Sequence, residues 1–218
     1  MRKHINLLDQ RRFARQINRE LAEREDRSGL SRFATVALMT YFAPTDHLIV
    51  CNAGHPPPLW YSTRTGQWGW LVPGVEDSGP GLDQENTRYL GKRVANLPLG
   101  VLEGTRYVQF AVKLSPGDVV YVYTDGLLEA KNPSGQVLGE QGLLDAAQAV
   151  GVDDPPKVLA RRLLDAVDAH VAGADHDDDL TVVAMRHTAE EAPPVSLGRL
   201  VRLLPRMLGL VRDPGDEK

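Results

Sequence analysis

The chain has 218 residues, 42% of them hydrophobic and 6% aromatic, and its 25 Lys and Arg against 29 Asp and Glu give a formal charge of −4. A chain of this length buries roughly 70% of its unfolded surface and needs no staples, while its one cysteine, Cys51, excludes an intramolecular disulfide and a zinc–thiolate site. No apolar run reaches the roughly 18 residues that span a bilayer, and the opening MRKHINLLDQRRF lacks the apolar stretch of a secretory signal, so a cytoplasmic protein is expected.

Charge is unevenly spread. Residues 1 to 24 are net +4, residues 196 to 212 are again net +4, and the body from 25 to 195 is net −10. An acidic body argues against nucleic acid as a partner, because phosphates want a basic groove, and it suits a cation site.

In chain order, Phe13, Ile17 and Leu21 at spacing four predict an amphipathic helix within residues 5 to 24. Phe33 to Ala43 and His47 to Asn52, β-branched and aromatic, predict two strands joined at Pro44-Thr45-Asp46. Residues 62 to 91, with six Gly and two Pro, predict a long loop or insertion tacked down by Trp68, Trp70 and Leu71. Strands are predicted from Tyr107 to Val112 and from Asp118 to Tyr123, with Ser115-Pro116-Gly117 turning between them as a second hairpin. Helices are predicted at 141 to 150 and 155 to 171, the second with Leu159, Leu163 and Val167 on one face, Asp154 as N-cap and Pro155 at its first position. A strand from Leu180 to Arg186 closes the body. Residues 188 to 218 then read as a linker and a basic amphipathic tail, with Leu197, Leu200, Val201, Leu204 and Leu208 on one side and Arg199, Arg202 and Arg206 available to anionic lipid. Hairpins in place of alternating βαβ units indicate an α+β fold with antiparallel sheets.

Three stretches can carry chemistry. Asp175 to Asp179 places four carboxylates in five positions before a strand, a repulsive cluster that water or a cation must neutralise. Thr124-Asp125-Gly126 ends a near-continuous apolar strand, and a glycine there permits a sharp turn or a close approach. Each alone reads equally as a turn or a solvated loop, but two strand-terminal aspartates could share one hard cation. Asn52-Ala53-Gly54-His55, followed by three prolines, exits another strand, and Asn52 or His55 could supply a hydrogen bond or a proton. Nucleophile elbows, Walker loops and dinucleotide fingerprints are all lacking, and Cys51 sits in an apolar strand.

NAGHPPPLW at 52–60, NLPLGV at 96–101, LSPGDVVYVYTDGLLEAKN at 114–132 and HDDDLTVVAMR at 176–186 stand in a characteristic order. With them, the chain from about residue 10 to 187 resembles the SpoIIE-like bacterial serine phosphatases of the metal-dependent type 2C (PPM) class. The resemblance implies an αββα sandwich of two antiparallel sheets flanked by helices, spanning residues 1 to 187. It also implies a centre for two Mn2+ or Mg2+ ions and hydrolysis of phosphoserine or phosphothreonine by an activated water. On that pattern Asp125 and Asp178 are catalytic metal ligands, Gly126 belongs to the metal-binding turn, and Asn52, His55 and Asp179 are neighbours. His55 stands where more distant eukaryotic-type relatives carry an aspartate that can hold an additional metal. The implied substrates are phosphorylated anti-sigma-factor antagonists of the STAS type, in partner-switching pathways.

The same pattern opens with a strand ending in Gly-Asp, whose aspartate bridges both metals. Here the only aspartates before Asp46 are Asp9 and Asp26, neither preceded by Gly, so the fold is expected to be N-terminally incomplete. A sheet edge left open invites association, as in a homodimer. Little activity is then expected from this chain alone unless a partner supplies the missing Asp. The alternatives are a pseudophosphatase that binds a phosphoprotein without hydrolysing it, and a cation-binding structural domain whose tail rests on a membrane.

Overall fold

The structure is a computed structural model that describes residues 9–23, 33–74, 96–173, 177–190 and 198. The chain divides into two compact units, residues 1–55 with 85–114 and 190–218, and residues 56–84 with 115–189. Both are built on antiparallel sheets with attached helices. Much of the expected 62–91 insertion, and all of the 196–212 tail except Gly198, lie outside the described residues.

In the first unit α1 (Gln10–Ala22) accompanies β1 (Val36–Phe42), β2 (His47–Ala53) and β5 (Gln109–Lys113), ordered β1-β2-β5. The β1–β2 hairpin forms where expected, through a short 3-10 turn at Ala43–Thr45 and Asp46 in the left-handed region at φ 57°. Leu48, Ile49 and Val50 of β2, the central strand, are buried on both faces, which is why its sequence is continuously apolar instead of alternating.

Helix α1 departs from its expected face. Ile17 and Leu21 pack beside the cluster of Ala14, Cys51, Ala53, Leu99 and Tyr107, but the buried stripe itself is Gln10, Ala14 and Asn18. Asn18 is buried with partners for both amide atoms, whereas Gln10 has partners for its Nε2 and none among the described residues for its Oε1. Asn18 donates to the carbonyls of Leu102 and Glu103, both at 2.9 Å, and accepts from the Gly100 N–H at 2.8 Å. Gln10 donates to Thr40 Oγ1 at 2.9 Å, and its N–H reaches Gln109 Oε1 at 2.7 Å.

Cys51 is fully buried, and burial pushes its thiol up to about 12. The thiolate is the reactive form. Ellman's reagent is therefore expected to leave Cys51 unmodified in the native protein at pH 8 and to modify it fully in denaturant; rapid native labelling would contradict this burial.

The second unit holds β3 (Leu59–Ser62), β4 (Gln67–Trp70), β6 (Val119–Tyr123) and β7 (Val182–Arg186), ordered β4-β3-β6-β7, with α2 (Gly126–Glu129), α3 (Gly139–Val150) and α4 (Pro156–Val171). The expected loop thus begins as a tight hairpin, because Trp68 pairs with Tyr61 and stacks on Tyr121 at 5.0 Å between ring centroids. The expected second hairpin does not form. β5 joins β2, whereas β6 lies between β3 and β7, so Ser115-Pro116-Gly117 carries the chain from one sheet to the other. Helix α4 buries Leu159, Leu163 and Val167 completely, as its spacing predicts, and each such side chain contributes about 1.5–3 kcal/mol. Its cap differs: Pro155 takes the N-cap and Pro156 the first helical position, while the Asp154 carboxylate pairs with Arg162.

Asp118 is the pin of this unit. Its buried carboxylate accepts from Thr63 N and Thr63 Oγ1, both at 2.8 Å, from Ser115 N at 3.0 Å and from Trp60 Nε1 at 3.2 Å. It thereby fixes the turn before β6 to the hairpin β3–β4.

Candidate active site

Asp125 lies two residues beyond the end of β6 and stands at the N-cap of the four-residue α2, exposed to solvent. Gly126 follows, buried, because nothing larger fits. A Cβ there would lie 2.9 Å from the Asp179 carbonyl oxygen, 3.1 Å from Leu180 Cδ2 and 3.5 Å from Asp178 Cβ. The two strand-end motifs are thus in backbone contact, which their spacing alone could not establish.

A clasp of threonines holds them there. Thr124 Oγ1 donates to the Asp179 carbonyl at 3.0 Å and accepts from the Thr181 N–H at 3.0 Å, while Thr124 N–H donates to the Thr181 carbonyl at 3.1 Å. The acidic side chains rise from this junction. Asp178 and Asp179 are both exposed, and Asp178 Oδ1 accepts from the Asp179 N–H at 2.7 Å. Asp177 pairs with Lys131, Oδ2 to Nζ 2.7 Å; that hydrogen bond and charge hold the carboxyl below its ordinary range and the ammonium above its own. Asp175 and His176 lie outside the described residues.

Asn52 and His55 belong to the first unit and bond to each other. His55 N–H donates to Asn52 Oδ1 at 2.9 Å, and Asn52 Nδ2 donates to the His55 carbonyl at 2.7 Å, closing a tight turn. Between them Gly54 has φ 71°, and a Cβ would fall 2.5 Å from Pro98 Cγ. The motifs at 52–60 and 96–101 therefore interlock, just as the motifs around 125 and 178 do.

Chemically, Asp125 and Asp178 offer hard oxygen donors, the type that Mg2+ and Mn2+ prefer. Together they suit one hydrated dication, and among the described residues no group of three His, Cys, Asp or Glu gathers that could hold a metal. Sequence reasoning named Thr124 within its motif but gave it no role, and it missed Thr181 and Lys131. The threonines flank both acidic motifs, and that symmetry was the available signal; nothing in the sequence alone distinguishes Lys131 from a solvated lysine.

The sequence profile of the family described as Stage II sporulation protein E (SpoIIE) matches residues 6–74 and 82–188. The chain belongs to this family. Among similar proteins, Protein IcfG of a Synechocystis sp. is 20% identical over 158 residues, 72% of this chain and 21% of the relative. The chain thus spans about a fifth of that curated relative. The PP2C phosphatase domain of SpoIIE from Bacillus subtilis, solved with a fragment of its regulatory domain, superposes with a TM-score of 0.57 at 18% identity, covering 82% of this chain and 44% of that one. The SiaA-PP2C domain of Pseudomonas aeruginosa gives 0.54 at 17% identity, covering 73% and 54%. This SpoIIE-family chain accordingly has the α+β fold of PP2C-type serine/threonine phosphatases.

Proposed function

We propose that this SpoIIE-family domain hydrolyses phosphoserine or phosphothreonine on a cytoplasmic protein, a STAS-type anti-sigma-factor antagonist in a partner-switching pathway, with Mn2+ or Mg2+ as cofactor. The observation that carries the reading is the contact of Gly126 with Asp178 and Asp179, which sets the side chains of Asp125 and Asp178 on adjoining backbone. Those two aspartates would hold the cation. When bound, such a cation lowers the pKa of water and neutralises phosphoryl charge. Gly126 keeps the junction closed, the Thr124–Thr181 clasp keeps it in register, and Asp179 adds negative potential at its rim. Asn52 shapes the turn that presents His55.

A second reading, a phosphoprotein-binding module without turnover, is favoured by the two-carboxylate donor set among the described residues. Steady-state assay of the purified chain with Mn2+ and a phosphorylated STAS protein separates the two. Hydrolysis that Asp125→Asn and Asp178→Asn each reduce by about 100-fold or more is the expected result of losing a group the transition state needs. Stoichiometric capture of the phosphoprotein without phosphate release would establish the second reading instead.

A further inference from the structure

A groove of about 310 Å³ opens beside the Asp125–Asp178 junction and is lined by Gly126, Glu129, Lys131, Asp177 and Asp178 among others. A phosphoryl dianion entering from this side meets the carboxylates of Glu129, Asp177 and Asp178, and among the described lining residues Lys131 is the one cation.

The stem of Lys131 is fixed. Its backbone bridges Val137, Leu138 N–H bonds to the Ala130 carbonyl at 2.8 Å, and Asn132 Oδ1 gathers the N–H groups of Ser134 and Gln136 at 3.0 and 2.9 Å. Its head is not. The Lys131 side chain is 53% exposed and its partner Asp177 is 72% exposed, so water screens their 2.7 Å pair and parting them costs little. A phosphoryl group offers a more highly charged acceptor than a single carboxylate, and charge-assisted bonds to it are correspondingly stronger.

We propose that Lys131 receives the phosphoryl group of the substrate, and that Asp177 holds the ammonium at the groove until the phosphoprotein displaces it. This rests on the reading of Asp125 and Asp178 as the phosphoryl-transfer centre. Lys131 is thus a substrate-binding residue, and Asp177 its positioning partner.

The full chain, loaded with Mn2+, is titrated with inorganic phosphate by calorimetry and assayed for hydrolysis of a phosphoserine peptide. Lys131→Gln is expected to raise the phosphate Kd and the peptide KM about tenfold through loss of one charge-assisted bond, with the Mn2+ Kd unchanged. Lys131→Arg is expected to retain most of the binding, and Asp177→Asn, which removes the competitor, to tighten it severalfold. Unchanged phosphate affinity in Lys131→Gln, equal weakening in Asp177→Asn, or no phosphate binding by the wild type would each overturn the proposal. Phosphate binding that depends on Lys131 without turnover of the peptide would remove the hydrolytic reading and leave this assignment standing.

Discussion

Gly126→Ala is expected to weaken Mn2+ binding by about 10- to 100-fold, the range for loss of a group that supports metal ligands, while the domain stays folded. The new methyl would sit 2.9 Å from the Asp179 carbonyl oxygen, closer than real Cβ contacts come, and a backbone atom cannot swing aside as a side-chain tip can. Relief requires the 178–180 segment to withdraw from Asp125, at the roughly 1–3 kcal/mol typical of overpacking. Gly104→Ala is the matched control, since nothing lies within 4 Å of its added carbon. Calorimetric Mn2+ titration with parallel thermal melts measures both quantities. Wild-type affinity in Gly126→Ala would show that the contact between the two motifs does not set the cation site.

Asp118→Ala is expected to cost about 3 kcal/mol, because a hydrogen bond to a charged group contributes about 1.5–3 kcal/mol, several are lost together, and the buried Trp60 Nε1–H is left without an acceptor while water can reach Thr63. Four donors converge on this carboxylate: Thr63 N, Thr63 Oγ1, Ser115 N and Trp60 Nε1. In a protein of this size that corresponds to a fall of roughly 6–12 °C in Tm. Asp118→Asn keeps the shape and one acceptor but turns an NH2 group towards existing donors, so an intermediate loss is expected. Thermal melts of the three proteins decide it, and an alanine variant within 1 °C of wild type would refute the role given to Asp118. Its effect on cation affinity should be small, since the residue acts at the opposite end of β6 from Asp125.

Local pattern was readable where burial follows it. The period of Leu159, Leu163 and Val167 marked the inner face of α4, and the run from His47 to Asn52 marked the strand β2, whose central place in its sheet only the structure shows. Pattern failed on α1, because Gln10 and Asn18 are buried by virtue of carbonyl and amide partners far along the chain, which hydropathy does not register. It failed again at Ser115-Pro116-Gly117, where a turn sequence suited to a hairpin instead changes sheets; two apolar strands in succession do not reveal which neighbours they will take. For the site, the order of four motifs indicated the family and named Asp125 and Asp178. Spacing could not show that Gly54 locks against Pro98 while Gly126 locks against Asp179, since both contacts close over dozens of intervening residues.

The chain leaves and re-enters each of its two units in turn, and this has a consequence for synthesis. His47 waits for Lys113, and Leu59 for Tyr121, before either sheet gains its next strand. A nascent chain halted by the ribosome near residue 105 would present two separate hairpins, with Leu48, Ile49 and Val50 of the first still uncovered by β5. Loop closures of that length come late and slowly, and exposed apolar strands are what chaperones recognise and aggregates recruit. The passage from Leu114 to Asp118 therefore links the strand that completes one sheet to the strand that extends the other, so neither hairpin gains its next strand until the chain around this segment has been made.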